Sequence, residues 1–347
     1  METPAPNSLE VVLSAEWLST ALSTAFPGTV VASTTLTEQL DSVATKARFD
    51  VVYEERPDHR LPLALCVKGY FSSRGRERRE MGLREARFYD EFASVIGTRS
   101  PRCFYSAIDP STQSNLIIME DLVAQGATFL TPLSPYSTEQ TAATLDQIAL
   151  LNASRWDDPA TSSVPWLSSN IGRLATFLEV DHLQRLLDGE RGEALPANMR
   201  DAAQLKRSVG ALALRPEVAP RCVIHGDIHA GNLYLDAEGE PGLVDWQVIQ
   251  WSTWALDVAV HIASVLDIET RRHNERELIE HYLASLEAHG VEVPSFEEAW
   301  HDYRLCLPYA YCMWAVATTP PAEVTNEFVT RLGTAVADHG SYQLLLG

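Results

Sequence analysis

His225-Gly226-Asp227-Ile228-His229-Ala230-Gly231-Asn232, followed by Leu243-Val244-Asp245-Trp246, is the stretch that decides the fold. Residues 222–224, Cys-Val-Ile, read as a short apolar strand running into it. Residues 232–235 and 242–244 read as the arms of a hairpin around the turn-forming run Asp236 to Glu240. Asp227 and Asn232 stand five residues apart, and Asn232 and Asp245 thirteen, with the hairpin between them. Such spacing can bring one proton-accepting carboxylate and two hard oxygen ligands to a single point. Turn preference alone accounts for any one of these Asp or Asn residues, but gives no reason for all three at these offsets.

The form His-Gly-Asp-x-His-x-x-Asn, followed by Val-Asp-Trp, resembles the catalytic loop and metal-binding Asp of the protein-kinase-like superfamily. It looks like the aminoglycoside phosphotransferase and choline-kinase-like branch. The resemblance covers about residues 25–340, with its sharp motifs in 221–257. It implies an α+β fold of two lobes: a small antiparallel sheet with one long helix, then a larger, mostly helical part. It also implies transfer of the γ-phosphate of ATP, with Mg²⁺, to a hydroxyl of a small molecule. Asp227 is then the base that accepts the hydroxyl proton. Asn232 and Asp245 are the Mg²⁺ ligands. His225 supports the loop by hydrogen bonds, and His229 lies near the phosphates. Asp257, in Trp-Ala-Leu-Asp-Val-Ala, matches an Asp that braces the catalytic loop in that family.

The first hundred residues supply independent expectations. Residues 30–40, 47–53 and 61–71 read as strands, and in the third Ala64, Cys66, Lys68 and Tyr70 share one face. A helix over 76–96 follows, with Met81, Glu85, Phe88, Phe92 and Ile96 on one stripe. A lone buried charge is costly, so Lys68 and Glu85 are expected to pair. By the same resemblance Lys68 reaches the α- and β-phosphates. Asn115 to Leu122 then looks like the strand and hinge that hold adenine. Backbone groups around Glu120 to Leu122 bond the base, and Met119 lines the pocket. No glycine lies between Gly28 and Gly69, so the expected turn at 40–46 lacks a glycine-rich phosphate loop. There Ser42 and Thr45 are candidates to supply hydroxyls instead. Trp246 and Gln247 replace the Phe and Gly of protein kinases, which disfavours a hinge-like flip of Asp245. Asn152 stands where relatives often carry His.

Residues 124–136 read as the linker between lobes. This divides the chain into a nucleotide-binding part, 1–123, with an extension at 1–25, and a helical part, 124–347, with the catalytic loop and substrate pocket. Ser137 and Gln140 form a capping-box pattern ahead of a helix to about 155. Further helices are expected over 170–188, 198–213, 254–266, 272–289 and 295–315. Arg271-Arg272, residues 278–282 and Trp300-His301-Asp302-Tyr303-Arg304 make the tail resemble the ecdysteroid-kinase-like group.

A formal net charge of −20, from 47 acidic and 27 basic residues, argues against nucleic-acid binding and mildly favours a cationic substrate. Five scattered cysteines without a Cys-x-x-Cys pair argue against a disulfide framework and a zinc ribbon. The opening METPAPNSLEVV does not read as a signal peptide. The uncharged stretch 305–322 is broken by Pro308, Thr318, Thr319, Pro320 and Pro321. A cytoplasmic protein without a membrane partner is expected, of unassigned oligomeric state. The substrate class stays open between hydrophobic or steroid-like alcohols, amino alcohols and aminoglycosides. Trp156, Trp166, Trp251, Trp254, Trp300 and Trp314 either form an aromatic pocket or pack the core. Two rival readings remain: a metal-dependent hydrolase using His225, Asp227 and His229, and a non-catalytic kinase-like nucleotide-binding protein.

Overall fold

The computed structural model describes residues 4–215 and 220–347, so the first three residues of the opening segment lie outside the described residues. The chain divides into two compact units. One comprises Met1–Thr128, Asp236–Gly239 and Leu243–Gln247; the other comprises Phe129–Leu235, Glu240–Gly242 and Val248–Gly347.

The first unit opens with two short helices, α1 (Leu9–Val12) and α2 (Ala15–Ser23), the second capped by the Ser14 hydroxyl on the Trp17 N–H. Then come β1 (Val30–Asp41), β2 (Thr45–Glu55) and β3 (Ala64–Gly69). With β4 (Cys103–Ile108) and β5 (Asn115–Glu120) they form an antiparallel sheet in the order β1-β2-β3-β5-β4. Its two faces differ because strand side chains alternate. Ala47, Phe49, Val51, Leu65, Val67, Leu116 and Ile118 point to one face, which Val12, Leu18, Leu22 and Phe26 cover. Residues read as a terminal extension thus supply part of this core. Lys46, Arg48, Cys66 and Lys68 occupy the other face.

The segment expected as one helix over 76–96 is broken. It runs as α3 (Ser73–Glu77), a 3₁₀ turn at Arg79–Gly82, α4 (Leu83–Arg87), a π-helical turn at Phe88–Phe92 and α5 (Ala93–Ile96). Gly82 sits so close to the sheet that a Cβ would lie 2.2 Å from both Asn115 Oδ1 and the Tyr70 ring. Asn115 Nδ2 also donates to the Arg79 carbonyl at 2.8 Å, taking an acceptor that a regular helix would use. The backbone leaves helical geometry at Arg78, with φ −116° and ψ 13°. Met81, placed on the stripe by periodicity, is 43% exposed, whereas Glu85, Phe88, Phe92 and Ile96 are buried. Phe88 stacks on Trp246, with centroids 3.8 Å apart.

The second unit is mostly helical. After β6 (Thr128–Phe129), which falls at the boundary, come α6 (Thr138–Ala153), α7 (Pro159–Ser162), α8 (Ile171–Phe177), α9 (Val180–Asp188) and α10 (Ala202–Ala213). After β7 (Arg221–Ile224), the strands β8 (Leu233–Leu235) and β9 (Pro241–Leu243) form the hairpin. β10 (Gln250–Thr253) pairs antiparallel with β7, a partner the sequence reading lacked. Then come α11 (Ala255–Val265), α12 (Ile268–Ala288), α13 (Phe296–Ala315), α14 (Ala322–Asp338) and α15 (Ser341–Leu346). Both halves of a capping box are made at Ser137/Gln140 and again at Ser295/Glu298. The helix expected over 170–188 breaks between α8 and α9, where Leu178 and Glu179 turn extended. α12 starts earlier than expected because Asp267 caps it on the Thr270 N–H. α11 is buried along its whole length. Among the described residues no helix is long and apolar enough to cross a membrane.

Candidate active site

The second unit holds the loop after β7. Gly226 has φ +88°, and a Cβ there would lie 2.7 Å from the Val248 carbonyl and from Gln250 Nε2. Only glycine fits that turn. Asp257, in the first turn of α11 and fully buried, accepts the backbone N–H groups of His225 and Gly226 on its two oxygens, both at 2.7 Å. Burial pushes its carboxyl up to about 7, while those two N–H donors pull it back. The buried carboxylate thereby fixes the entry to the loop. Asn152 braces the same strand: its Nδ2 donates to the Val223 carbonyl at 3.0 Å, and its Oδ1 accepts the Tyr282 hydroxyl at 2.8 Å.

Beyond that entry, Asn232 Nδ2 donates to the Asp227 carbonyl at 2.8 Å and to Asp227 Oδ2 at 3.3 Å. The Asp227 carboxylate is thus oriented by Asn232. Asn232 Oδ1 accepts no hydrogen bond among the described residues and keeps its lone pairs for another partner. His225 is completely buried. His229 Nδ1 accepts the Gly231 N–H at 3.1 Å, its Nε2 lies 3.8 Å from Asp227 Oδ2, and its ring packs edge-on against Trp314 and Phe328. Trp254, by contrast, stacks on Tyr282 in the core, with centroids 5.2 Å apart.

The first unit gathers the other charges. Lys68 Nζ lies 2.5 Å from Glu85 Oε2 and 3.0 Å from Asp245 Oδ1, and Lys68 and Glu85 are 5% and 3% exposed. Burial works against the Lys68 charge, but Asp245 and Glu85 more than restore it and hold its pKa above the ordinary lysine range. Burial raises the Glu85 carboxyl, and Lys68 opposes that. The Trp246 backbone N–H points at Glu85 Oε1 at 3.4 Å, so the segment carrying Asp245 is anchored to the helix carrying Glu85. Asp245 itself has φ +69°, a left-handed conformation that Asp tolerates better than most residues. One ammonium shared by two carboxylates leaves net negative charge, which suits a divalent cation.

Around the expected hinge, Met119 and Glu120 close β5. The Glu120 carboxylate accepts the Arg102 N–H at 2.7 Å and Gln125 Nε2 at 2.9 Å. The Leu122 carbonyl accepts two backbone N–H groups, while its own N–H has no partner among the described residues. Asp121, which the sequence reading passed over, is buried and accepts Arg48 Nε on both oxygens, at 3.0 and 2.9 Å. It also accepts the Val123 and Ala124 N–H groups and so shapes the turn after β5. The available signal was Arg48 alternating onto the Lys68 face of β2. Ser42 and Thr45 direct their hydroxyls inward: Ser42 to the Ala44 carbonyl at 3.1 Å, Thr45 to Asp41 Oδ1 at 2.7 Å.

His225, Asp227 and His229 do not gather as zinc ligands. Among the described residues no three His, Cys, Asp or Glu side chains form a metal cluster. An amide oxygen and a carboxylate are instead the hard donors Mg²⁺ accepts when phosphates and waters complete its shell.

Among solved structures the chain is similar to an ethanolamine kinase from Plasmodium vivax, at TM-score 0.53 and 11% identity, covering 89% of this chain and 82% of that one. It is similar to a choline kinase from Cryptosporidium parvum, at TM-score 0.54 and 12% identity, covering 89% of each chain. It is similar to the choline kinase LicA from Streptococcus pneumoniae, at TM-score 0.50 and 12% identity, covering 93% and 98%. At these identities the likeness is one of fold: the α+β, protein-kinase-like arrangement of an antiparallel sheet followed by a mostly helical part. No curated protein matches the chain at a significant level. The profile of the phosphotransferase enzyme family matches residues 66–306, a span holding Lys68, Glu85, Asp227, Asn232, Asp245 and Asp257. Matched by that profile over well more than half of its length, the chain belongs to the phosphotransferase enzyme family.

Proposed function

We propose that this small-molecule kinase transfers the γ-phosphate of ATP to a hydroxyl of its substrate, with Asp227 as base and Asn232 and Asp245 as the Mg²⁺ ligands. The observation that carries this is the buried Lys68 ammonium shared by Glu85 and Asp245. Such a group is costly to bury, and its chemistry matches the α- and β-phosphates of a nucleotide. The base of ATP is held by backbone groups from Glu120 to Leu122, where the Leu122 N–H is an available donor. Met119 lines that pocket. Mg²⁺, when bound with the nucleotide, neutralises charge on the phosphate oxygens. Asn232 aims the Asp227 carboxylate, which takes the proton of the attacking hydroxyl. His225 and Asp257 hold the loop, and His229 sets the loop against Trp314 and Phe328.

The nucleotide belongs to residues 1–123, and the acceptor to residues 124–347. We assign the acceptor to small hydroxyl compounds with a cationic or hydrophobic body, amino alcohols first. The net charge of −20 and the aromatic group His229–Trp314–Phe328, whose His229 lies 3.8 Å from Asp227, support that choice. The tail motifs Arg271-Arg272 and 300–304 suit the ecdysteroid-kinase-like branch. Five free thiols suit a reducing, cytoplasmic setting.

The test is ATP consumption over a panel of amino alcohols, aminoglycosides and hydrophobic alcohols. Wild type should turn over at least one class. Asp227→Asn should lose about 1,000-fold in kcat while its nucleotide affinity stays unchanged. A variant that still turns over at the wild-type rate would remove Asp227 from the chemistry.

A further inference from the structure

We propose that Lys46 is a second cation for the nucleotide's phosphates, replacing the glycine-rich loop this chain lacks; the proposal rests on the ATP-dependent reading above. The hydroxyls of the β1–β2 turn are committed within the turn. That turn has no glycine, and its Ser42 N–H and Ser42 hydroxyl both go to the Ala44 carbonyl. Its Thr45 hydroxyl goes to Asp41, whose carboxylate also accepts Gln39 Nε2 at 2.7 Å. The Thr45 and Gln39 hydrogen bonds hold that carboxyl below its ordinary range, so the turn presents an anion. A phosphate is repelled there.

The next residue carries the opposite charge. The strand register places Lys46 directly across from Lys68. Cross-strand partners share a face and sit about 5 Å apart at Cα. Lys46 therefore lies on the face that holds Lys68, Cys66 and Arg48, away from the apolar core. Like charges placed opposite each other destabilise a sheet unless an anion lies between them. Lys68 is already neutralised by Glu85 and Asp245. Lys46 is exposed and its ammonium makes no hydrogen bond or ion pair among the described residues, although its field reaches the Glu85 carboxyl. Two lysines on neighbouring strands of one face, one committed and one uncommitted, fit a chain of linked phosphates better than a single phosphate or an uncharged ligand. Lys46 should read the phosphates beyond the first, and Lys68 the ones nearer the nucleoside.

The experiment is calorimetric binding of ATP, ADP, AMP and adenosine, with Mg²⁺, to wild type, Lys46→Met and Lys46→Arg. Lys46→Met should weaken ATP and ADP about ten-fold, the loss expected for one charge-assisted contact. AMP and adenosine should stay within about two-fold, and Lys46→Arg should bind all four as wild type does. The ADP deficit should shrink as salt rises. ADP binding unchanged in Lys46→Met, with wild type binding ATP, overturns the proposal and leaves the kinase reading standing. Equal losses for adenosine and ADP overturn it as well, since that pattern marks a general disturbance of the pocket. A wild type that binds none of the four ends both readings.

Discussion

Lys68 holds two carboxylates at once, so its removal has two separable effects. Lys68→Met leaves Glu85 buried without its cation, which should cost about 3 kcal/mol in urea unfolding. The double variant Lys68→Met/Glu85→Leu should recover most of that stability and none of the phosphoryl transfer. Recovery of activity in the double variant would mean that the ammonium serves only the fold. The pairing itself was legible in the sequence, because each residue is a lone charge inside an apolar pattern. The third member, Asp245, was legible as chemistry but not as a partner of Lys68, since strand alternation carries no information on a hairpin 177 residues away. The Arg48–Asp121 pairing was illegible for a related reason, although alternation puts Arg48 on the Lys68 face. Each reads locally as a surface charge, and only the paired strands bring them to 2.9 Å.

Elements were legible where local chemistry alone decides them. The capped starts at Ser137 and Ser295 and the alternating strands β2 and β3 are of this kind. Breaks imposed by tertiary packing were not. Nothing at Leu178-Glu179 marks a helix end, and neither residue is Gly or Pro. Met81 fits a helical stripe only if the helix runs unbroken from residue 76, but Arg78 leaves helical geometry and Arg79–Gly82 form a 3₁₀ turn. Gly82 itself is pressed against the Asn115 and Tyr70 side chains, which leave no room for a methyl group. Gly82→Ala should therefore destabilise the protein by about 2 kcal/mol in thermal unfolding, although alanine is the better helix former. An unchanged or higher Tm would show that the sheet can yield to a methyl group. α14 is hard to foresee because the Pro320-Pro321 pair ahead of it stops one helix as readily as it starts the next.

At the scale of the whole molecule, buried acids couple stability to pH. Asp302, 9% exposed within α13, has its carboxyl pushed up to about 7 by burial and by Glu298. The ordinary value is 3.8. Between those two points the folded chain keeps a proton that the unfolded chain has released, so this residue lowers stability as pH rises through the window. Asp302→Asn cannot release a proton there. It should be about 2 kcal/mol more stable than wild type at pH 8 and equal to it near pH 4, compared by urea unfolding at both. A gap independent of pH would place the effect in packing instead. Global composition was legible at once, but the placement of the first helices was not, since a short amphipathic segment does not announce which surface it will lie on.

That placement bears on how the protein can be handled. The two helices between Leu9 and Ser23 act as a lid on the greasy side of the β-sheet. A shortened version beginning at Val30 would keep every group assigned to catalysis, yet it would offer solvent a bare oily plate, and such molecules clump together before they can be assayed.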